Sequence, residues 1–101
     1  MNKNLITPEQ IAEWKATHGD VFKITVAEDD KVCYLRKPNR KELSYASTVG
    51  TQDPMKFNEL ILNNCWLGGD EEIKTNDSLF LAVSTQLDKV LEFKKAELEK
   101  L

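Results

Sequence analysis

Alternating apolar and polar positions predict a β-hairpin near the start of the chain. In residues 21–26, Phe22, Ile24 and Val26 fall on one face of a strand, with polar positions between them. A second β-rich run covers residues 31–36, after a polar turn at 27–30. A connection of about four residues is too short to reach a parallel neighbour, so we predict an antiparallel hairpin.

Helix signals surround this hairpin. Thr7-Pro8-Glu9-Gln10 is a capping box with proline at the first helical position, and Gly19 can end that helix. Asn39 with Glu42, and then Asp53-Pro54, predict the starts of two more helices. We interpret Gly68-Gly69 as the end of the second of these, followed by an acidic connector.

The last predicted helix runs from about Ser78 to Lys100, about 33 Å at 1.5 Å per residue. Its second half keeps only a narrow apolar stripe among Lys and Glu: Leu87, Val90, Leu91, Leu98 and Leu101. This stripe extends past the compact part, so it needs a second surface. That surface is the chain's own hairpin, another copy or a foreign helix.

The order of elements predicts one α+β domain over residues 1–101: an N-terminal helix, an antiparallel β-hairpin, then three helices ending in a long C-terminal helix. The composition fits, with 101 residues, 41% hydrophobic and 31% charged, enough for one modest core. The longest apolar run, Leu79 to Val83, is far shorter than the ~20 residues of a membrane span. The first ten residues lack the apolar region of a secretory signal, so we expect a cytoplasmic protein without membrane contact.

Few residues are suited to catalysis or metal binding. Cys33 and Cys65 stand alone, and His18 is the single histidine, at the end of the first predicted helix. A structural zinc site takes four Cys or His ligands, and the chain has three. We therefore expect no metal, no cofactor and no enzyme activity. We interpret the cysteines as buried thiols, although a disulfide between them stays open, and His18 as a cationic helix cap.

A basic cluster offers one binding surface. It consists of Arg36, Lys37, Arg40 and Lys41, with Tyr34 and Tyr45 on either side. Cations beside aromatic rings are typical of single-stranded nucleic-acid surfaces. The net charge of −3 weakens this interpretation, and the same residues also suit an ordinary passage from a strand into a capped helix.

Apolar residues offer the other surface. Tryptophan is enriched in protein–protein hot spots, and Trp66-Leu67 falls at a predicted helix end. The pair either fills the core or anchors a partner.

The order of segments resembles the tail assembly chaperones of phages and prophages. Three segments carry the resemblance: Tyr34-Leu35-Arg36-Lys37-Pro38, the run from Asp53-Pro54 through Phe57 to Cys65-Trp66, and Gly69-Asp70-Glu71-Glu72 before a charged closing helix. It covers most of the chain from about residue 12. Many tail chaperones are almost wholly helical, whereas this chain has a predicted hairpin.

The resemblance implies a non-catalytic protein of the host cytoplasm. Such proteins keep the long helical tape-measure protein soluble and leave as the tail tube polymerises around it. Many copies on one client imply weak self-association. We expect the client-binding residues to be Trp66, Leu67, Leu87, Leu91 and Leu98. The alternative is a phage or mobile-element regulatory or nucleic-acid-binding accessory protein that uses Arg36, Lys37, Arg40 and Lys41.

Overall fold

The computed structural model describes residues 6–92 and 94–101. Within these residues the fold is α+β, with six α-helices and a three-stranded sheet. The helices are α1 (Pro8–His18), α2 (Arg40–Gly50), α3 (Pro54–Cys65), α4 (Glu72–Thr75), α5 (Asp77–Ser84) and α6 (Leu87–Val90). The strands are β1 (Val21–Val26), β2 (Lys31–Arg36) and β3 (Trp66–Gly69), and a 3-10 helix, Ala27–Asp29, joins β1 to β2.

The predicted hairpin is confirmed. β1 pairs antiparallel with β2, in a register that runs from Val21 opposite Arg36 to Val26 opposite Lys31. The turn ends at Asp30, whose φ of 54° is left-handed, a conformation that aspartate tolerates better than most residues.

The predicted helix starts are also confirmed. Capping boxes join Thr7 to Gln10 and Asn39 to Glu42, and the Asp53 side chain accepts hydrogen bonds from the first-turn amides of α3. These caps satisfy backbone N–H groups that have no partner within the helix.

β3 differs from the prediction, which ended a helix at Gly68-Gly69. Instead, α3 ends at Cys65 and the next four residues form a strand that runs antiparallel to β2. The pairing places Leu35 opposite Trp66 and Tyr34 opposite Gly68, and skips Leu67 as a β-bulge. The sheet order is therefore β1-β2-β3.

Helices pack against both faces of the sheet. Ile24, Cys33 and Leu35 face the core, which α2 to α6 complete with buried residues such as Ile61, Leu62, Ile73 and Val83. On the opposite face the ring of Trp14 from α1 lies 5.8 Å from that of Tyr34. Trp14 also lies over Gly68, where an added Cβ would come within 3.1 Å of the indole.

The single long C-terminal helix is not present. α5 ends at Ser84, where the Ser84 hydroxyl donates to the Phe80 carbonyl (2.9 Å) and the Thr85 hydroxyl to the Ala82 carbonyl (2.7 Å). Such side-chain bonds compete with helical continuation. The interruption lets the short α6 bring Leu87 and Val90 into the core, each 1% exposed. Residues 94–101 have no regular secondary structure.

Candidate binding surfaces

The two cysteines and the histidine lie in different environments. Cys33 and Cys65 are free and buried, and burial raises the pKa of Cys33 to about 12 and that of Cys65 to about 11. His18 is exposed at the end of α1. The raised pKa values disfavour the thiolate that a cysteine nucleophile needs. Across residues 6–92 and 94–101, no three His, Cys, Asp or Glu side chains form a group that could hold a metal ion.

Arg36, from the basic cluster, is committed to contacts within the protein. Its guanidinium donates to both carboxylate oxygens of Glu42 at 2.9 Å and 2.8 Å. It also donates to the carbonyl oxygens of Lys37 (3.0 Å) and Asn64 (2.7 Å). These bonds join β2 to α2 and α3, so the Arg36 guanidinium is engaged within the protein, and its contact with phosphate stays a prediction.

The other three cations lie elsewhere. The Lys37 amine lies 5.5 Å from the centroid of the Phe22 ring. Arg40 and Lys41 are exposed in the first turn of α2, and Tyr45, one turn further on, is 61% exposed. Together with Ser44 and Thr48, these residues line a shallow depression. The structure therefore brings two predicted cations and one aromatic ring to one face of α2.

Trp66 and Leu67 are only half-exposed on β3. The Trp66 ring packs against the core, and the Lys74 amine lies 4.4 Å from its centroid. The same amine pairs with Glu71 at 3.2 Å. Part of the Trp66 side chain is therefore used in contacts within the protein. Leu67 lies beside it, in the β-bulge.

The predicted leucine stripe divides into buried and exposed members. Leu87 is 1% exposed, so the expectation that it contacts a partner is corrected: it belongs to the core. Leu91 is half-buried against that core. Leu98 is 99% exposed, and Leu101 is fully exposed. Leu98 is the predicted partner-binding residue with the most available apolar surface.

One concave surface was not predicted from the sequence. A groove of about 520 Å³ runs between β1 and the α5–α6 segment. Ile24, Ala82 and Val90 contribute apolar lining, and Lys23, Glu28 and Lys89 contribute charge. The alternation of β1 identified its buried face but could not show that β1 lies at an edge of the sheet, since that depends on β3 pairing with β2.

Comparisons with protein-family models, curated proteins and solved structures gave no match to this chain. Among the helices described, none combines the length and apolar character needed to cross a membrane.

Proposed function

We propose that the protein is a non-catalytic binding protein for a long helical client, as the resemblance to tail assembly chaperones implies. The observation that carries the proposal is the exposure of Leu98 and Leu101 beyond the packed part of the chain. Burial of these two large apolar side chains against another surface is favourable. The free energy gained is about 1.5–3 kcal/mol per fully buried leucine.

The composition of the C-terminal segment supports a helical mode of contact. Residues 94–101 consist of Lys, Ala, Glu and Leu, all strong helix formers. A segment this short is marginal as an isolated helix in water. Packed against a client helix, it would place Leu98 and Leu101 on one face, in line with Leu91 one heptad earlier.

Binding coupled to folding also suits a reversible chaperone. Ordering the segment costs conformational entropy, which lowers affinity relative to the area buried. The client could then be released when a stronger association, such as polymerisation of a tail tube, competes for it. A second half-exposed apolar site at Trp66 and Leu67 would add contact area.

Co-expression with fragments of a tape-measure-type helical protein encoded near this chain tests the proposal. The wild-type chain should increase the soluble fraction of such a fragment, and Leu98→Asp/Leu101→Asp should abolish the increase. Leu98→Met/Leu101→Met keeps the apolar surface and should act like wild type. Equal rescue by the Asp and Met variants, or no rescue with several fragments, would refute the proposal.

The exposed face of α2 favours a second candidate, binding of single-stranded nucleic acid. Arg40 and Lys41 could contact phosphate while Tyr45 stacks on a base. Titration of a fluorescent oligonucleotide at increasing salt separates the two functions. Phosphate contacts lose affinity steeply with salt, whereas apolar helix binding changes little. Arg40→Ala/Lys41→Ala should then remove oligonucleotide binding and leave client rescue intact.

A further inference from the structure

Along its outer edge, β1 has no strand partner among residues 6–92 and 94–101, where β2 is the one strand paired with it. Every residue from Phe22 to Glu28 lines the groove beside it. If the groove lay over one face of the strand, only alternate residues would line it. Because consecutive residues line it, the groove lies along the backbone edge of β1. Such an edge presents main-chain donors and acceptors to an incoming strand.

The edge is weakly protected against pairing. Natural edge strands often carry charges that keep other strands away, and the one charged residue of β1 is Lys23. Its amine lies 6.0 Å from the ring centroid of Tyr34, the residue opposite it on β2. Lys23 therefore leans over the sheet rather than beyond its outer edge. The other residues of the strand, Val, Phe, Ile and Thr, have high β-propensity.

The side-chain pattern of β1 is symmetric about Ile24. Phe22 and Val26 flank it at equal distances along the chain, and Lys23 and Thr25 lie between. When two such strands pair antiparallel with Ile24 on the two-fold axis, Phe22 lies opposite Val26 of the second copy, and Lys23 opposite Thr25. Apolar side chains then meet apolar ones, and neither lysine is directly opposite the other.

We infer that the outer edge of β1 binds the same edge of a second copy of this chain, which continues the sheet across a two-fold axis at Ile24. In this register both sheets keep the same face toward their helices. Phe22 and Ile24 of the incoming strand then point to the side of the groove lined by the half-exposed Ala82. An unrelated extended peptide would need this complementary pattern by coincidence, whereas a second copy supplies it.

Thr25 gives a test that leaves the monomer's core unchanged, since its side chain is exposed. Sedimentation equilibrium of the full chain over a wide concentration range should show a monomer–dimer equilibrium. Thr25→Lys places a lysine opposite Lys23 twice across the axis and should weaken the dimer about tenfold. Thr25→Glu creates two opposite-charge pairs and should strengthen it. Lys23→Glu/Thr25→Lys restores those pairs and should recover wild-type association or better.

Thr48→Lys, on the exposed side of α2, is the matched control for added charge and should dimerise like wild type. Hydrogen exchange supplies a second readout, because outward amides of β1 should gain protection as concentration rises. A strictly monomeric wild-type protein would overturn the inference. So would a dimer unaffected by Thr25→Lys, or protection of β1 gained only when a client fragment is added. Thermal melts verify that each variant is folded.

This inference goes beyond the proposed function and does not depend on it. The dimer uses the β1 edge, whereas client binding uses Leu98 and Leu101. Failure of either experiment therefore leaves the other proposal intact.

Discussion

The guanidinium of Arg36 binds the carboxylate of Glu42 through two hydrogen bonds, at 2.9 Å and 2.8 Å. The Glu42 carboxylate also accepts from the backbone N–H of Asn39 at 2.9 Å, which closes the capping box of α2. Arg36 reaches the carbonyl oxygen of Asn64 near the end of α3 at 2.7 Å. One pair thus fixes the end of β2 to the start of α2 and the end of α3.

Removing this pair should cost substantial stability. Arg36→Ala leaves the Glu42 carboxylate without its charged donor and removes the Arg36 bond to the Asn64 carbonyl, so we expect a loss of about 2–3 kcal/mol in the free energy of unfolding. Urea denaturation measures this change. Arg40→Ala removes an exposed cation of the same cluster and should change stability by less than about 0.5 kcal/mol. Equal losses in the two variants would contradict the structural role assigned to Arg36.

The same pair predicts a specific acid sensitivity. The hydrogen bond from Arg36 lowers the pKa of Glu42 in the folded protein, and the Asn39 amide adds to the effect. The resulting stabilisation is complete above the pKa of an unfolded-chain glutamate, about 4.3. It is lost as pH falls through the lower folded pKa, since the unfolded state then binds more protons.

Below about pH 4.3, the free energy of unfolding of the wild-type protein should fall as pH decreases. In Glu42→Gln this fall should be smaller. Urea denaturation in a series of acidic buffers measures the slope. Glu97→Gln, in the C-terminal segment, should keep the wild-type slope. An unchanged slope in Glu42→Gln would show that the Arg36–Glu42 pair does not control acid unfolding.

The buried cysteines should be protected from thiol reagents. Burial raises the pKa of Cys33 to about 12 and that of Cys65 to about 11. At pH 8 the folded protein should react with an aromatic disulfide reagent more than about 100-fold slower than in denaturant. Because the folded pKa values lie above the unfolded value of about 8.5, the stabilisation by neutral thiols is complete below pH 8.5 and declines as pH rises toward 11–12. Fast reaction of both thiols in the folded protein would contradict their burial.

Gly69 should not tolerate a side chain. Its φ is +131°, and an added Cβ would lie 2.5 Å from the Val32 carbonyl oxygen and 2.6 Å from Cys33 Cα. We expect Gly69→Ala to destabilise the protein by about 3 kcal/mol or more. Gly19 has a φ of +86° with nothing within 4 Å of an added Cβ, so Gly19→Ala meets only the backbone cost of this conformation, about 1–3 kcal/mol. Thermal and urea unfolding of both variants give the comparison.

Patterns within short stretches of sequence predicted the hairpin and the helix starts, because these depend on neighbouring residues. The hairpin and three helix starts follow from alternation and from side chains that bond to nearby amides. β3 lacked such a signal, because Trp66-Leu67-Gly68-Gly69 has two glycines where a strand favours β-branched residues. It is a strand because β2 pairs with it and because Gly68 and Gly69 allow close approach by Trp14 and by the backbone of β2.

The prediction of one long C-terminal helix was wrong because a local signal was present but tertiary packing overrode it. The leucine spacing indicated continuity, but periodicity cannot distinguish one helix from two segments that bury the same side chains. The hydroxyls of Ser84 and Thr85 bond to carbonyl oxygens of the last turn of α5, and burial of Leu87 and Val90 favours the fold-back. Because of this fold-back, Leu87 is buried in the core whereas Leu98 is exposed, although both were predicted to bind a partner. The groove beside β1 also depends on the fold-back, so the sequence pattern could not predict it.

The contact between Trp14 and Gly68 has a consequence for how the molecule opens. None of the residues of α1 is buried, and its contacts with the sheet include the Trp14 indole over Gly68 and beside the ring of Tyr34. An element with so little enclosed area belongs to the low end of the range of local opening free energies. We therefore expect the amides of α1 to exchange with solvent at a lower opening free energy than those of the hairpin and of the helices on its other face, which native-state hydrogen exchange measures.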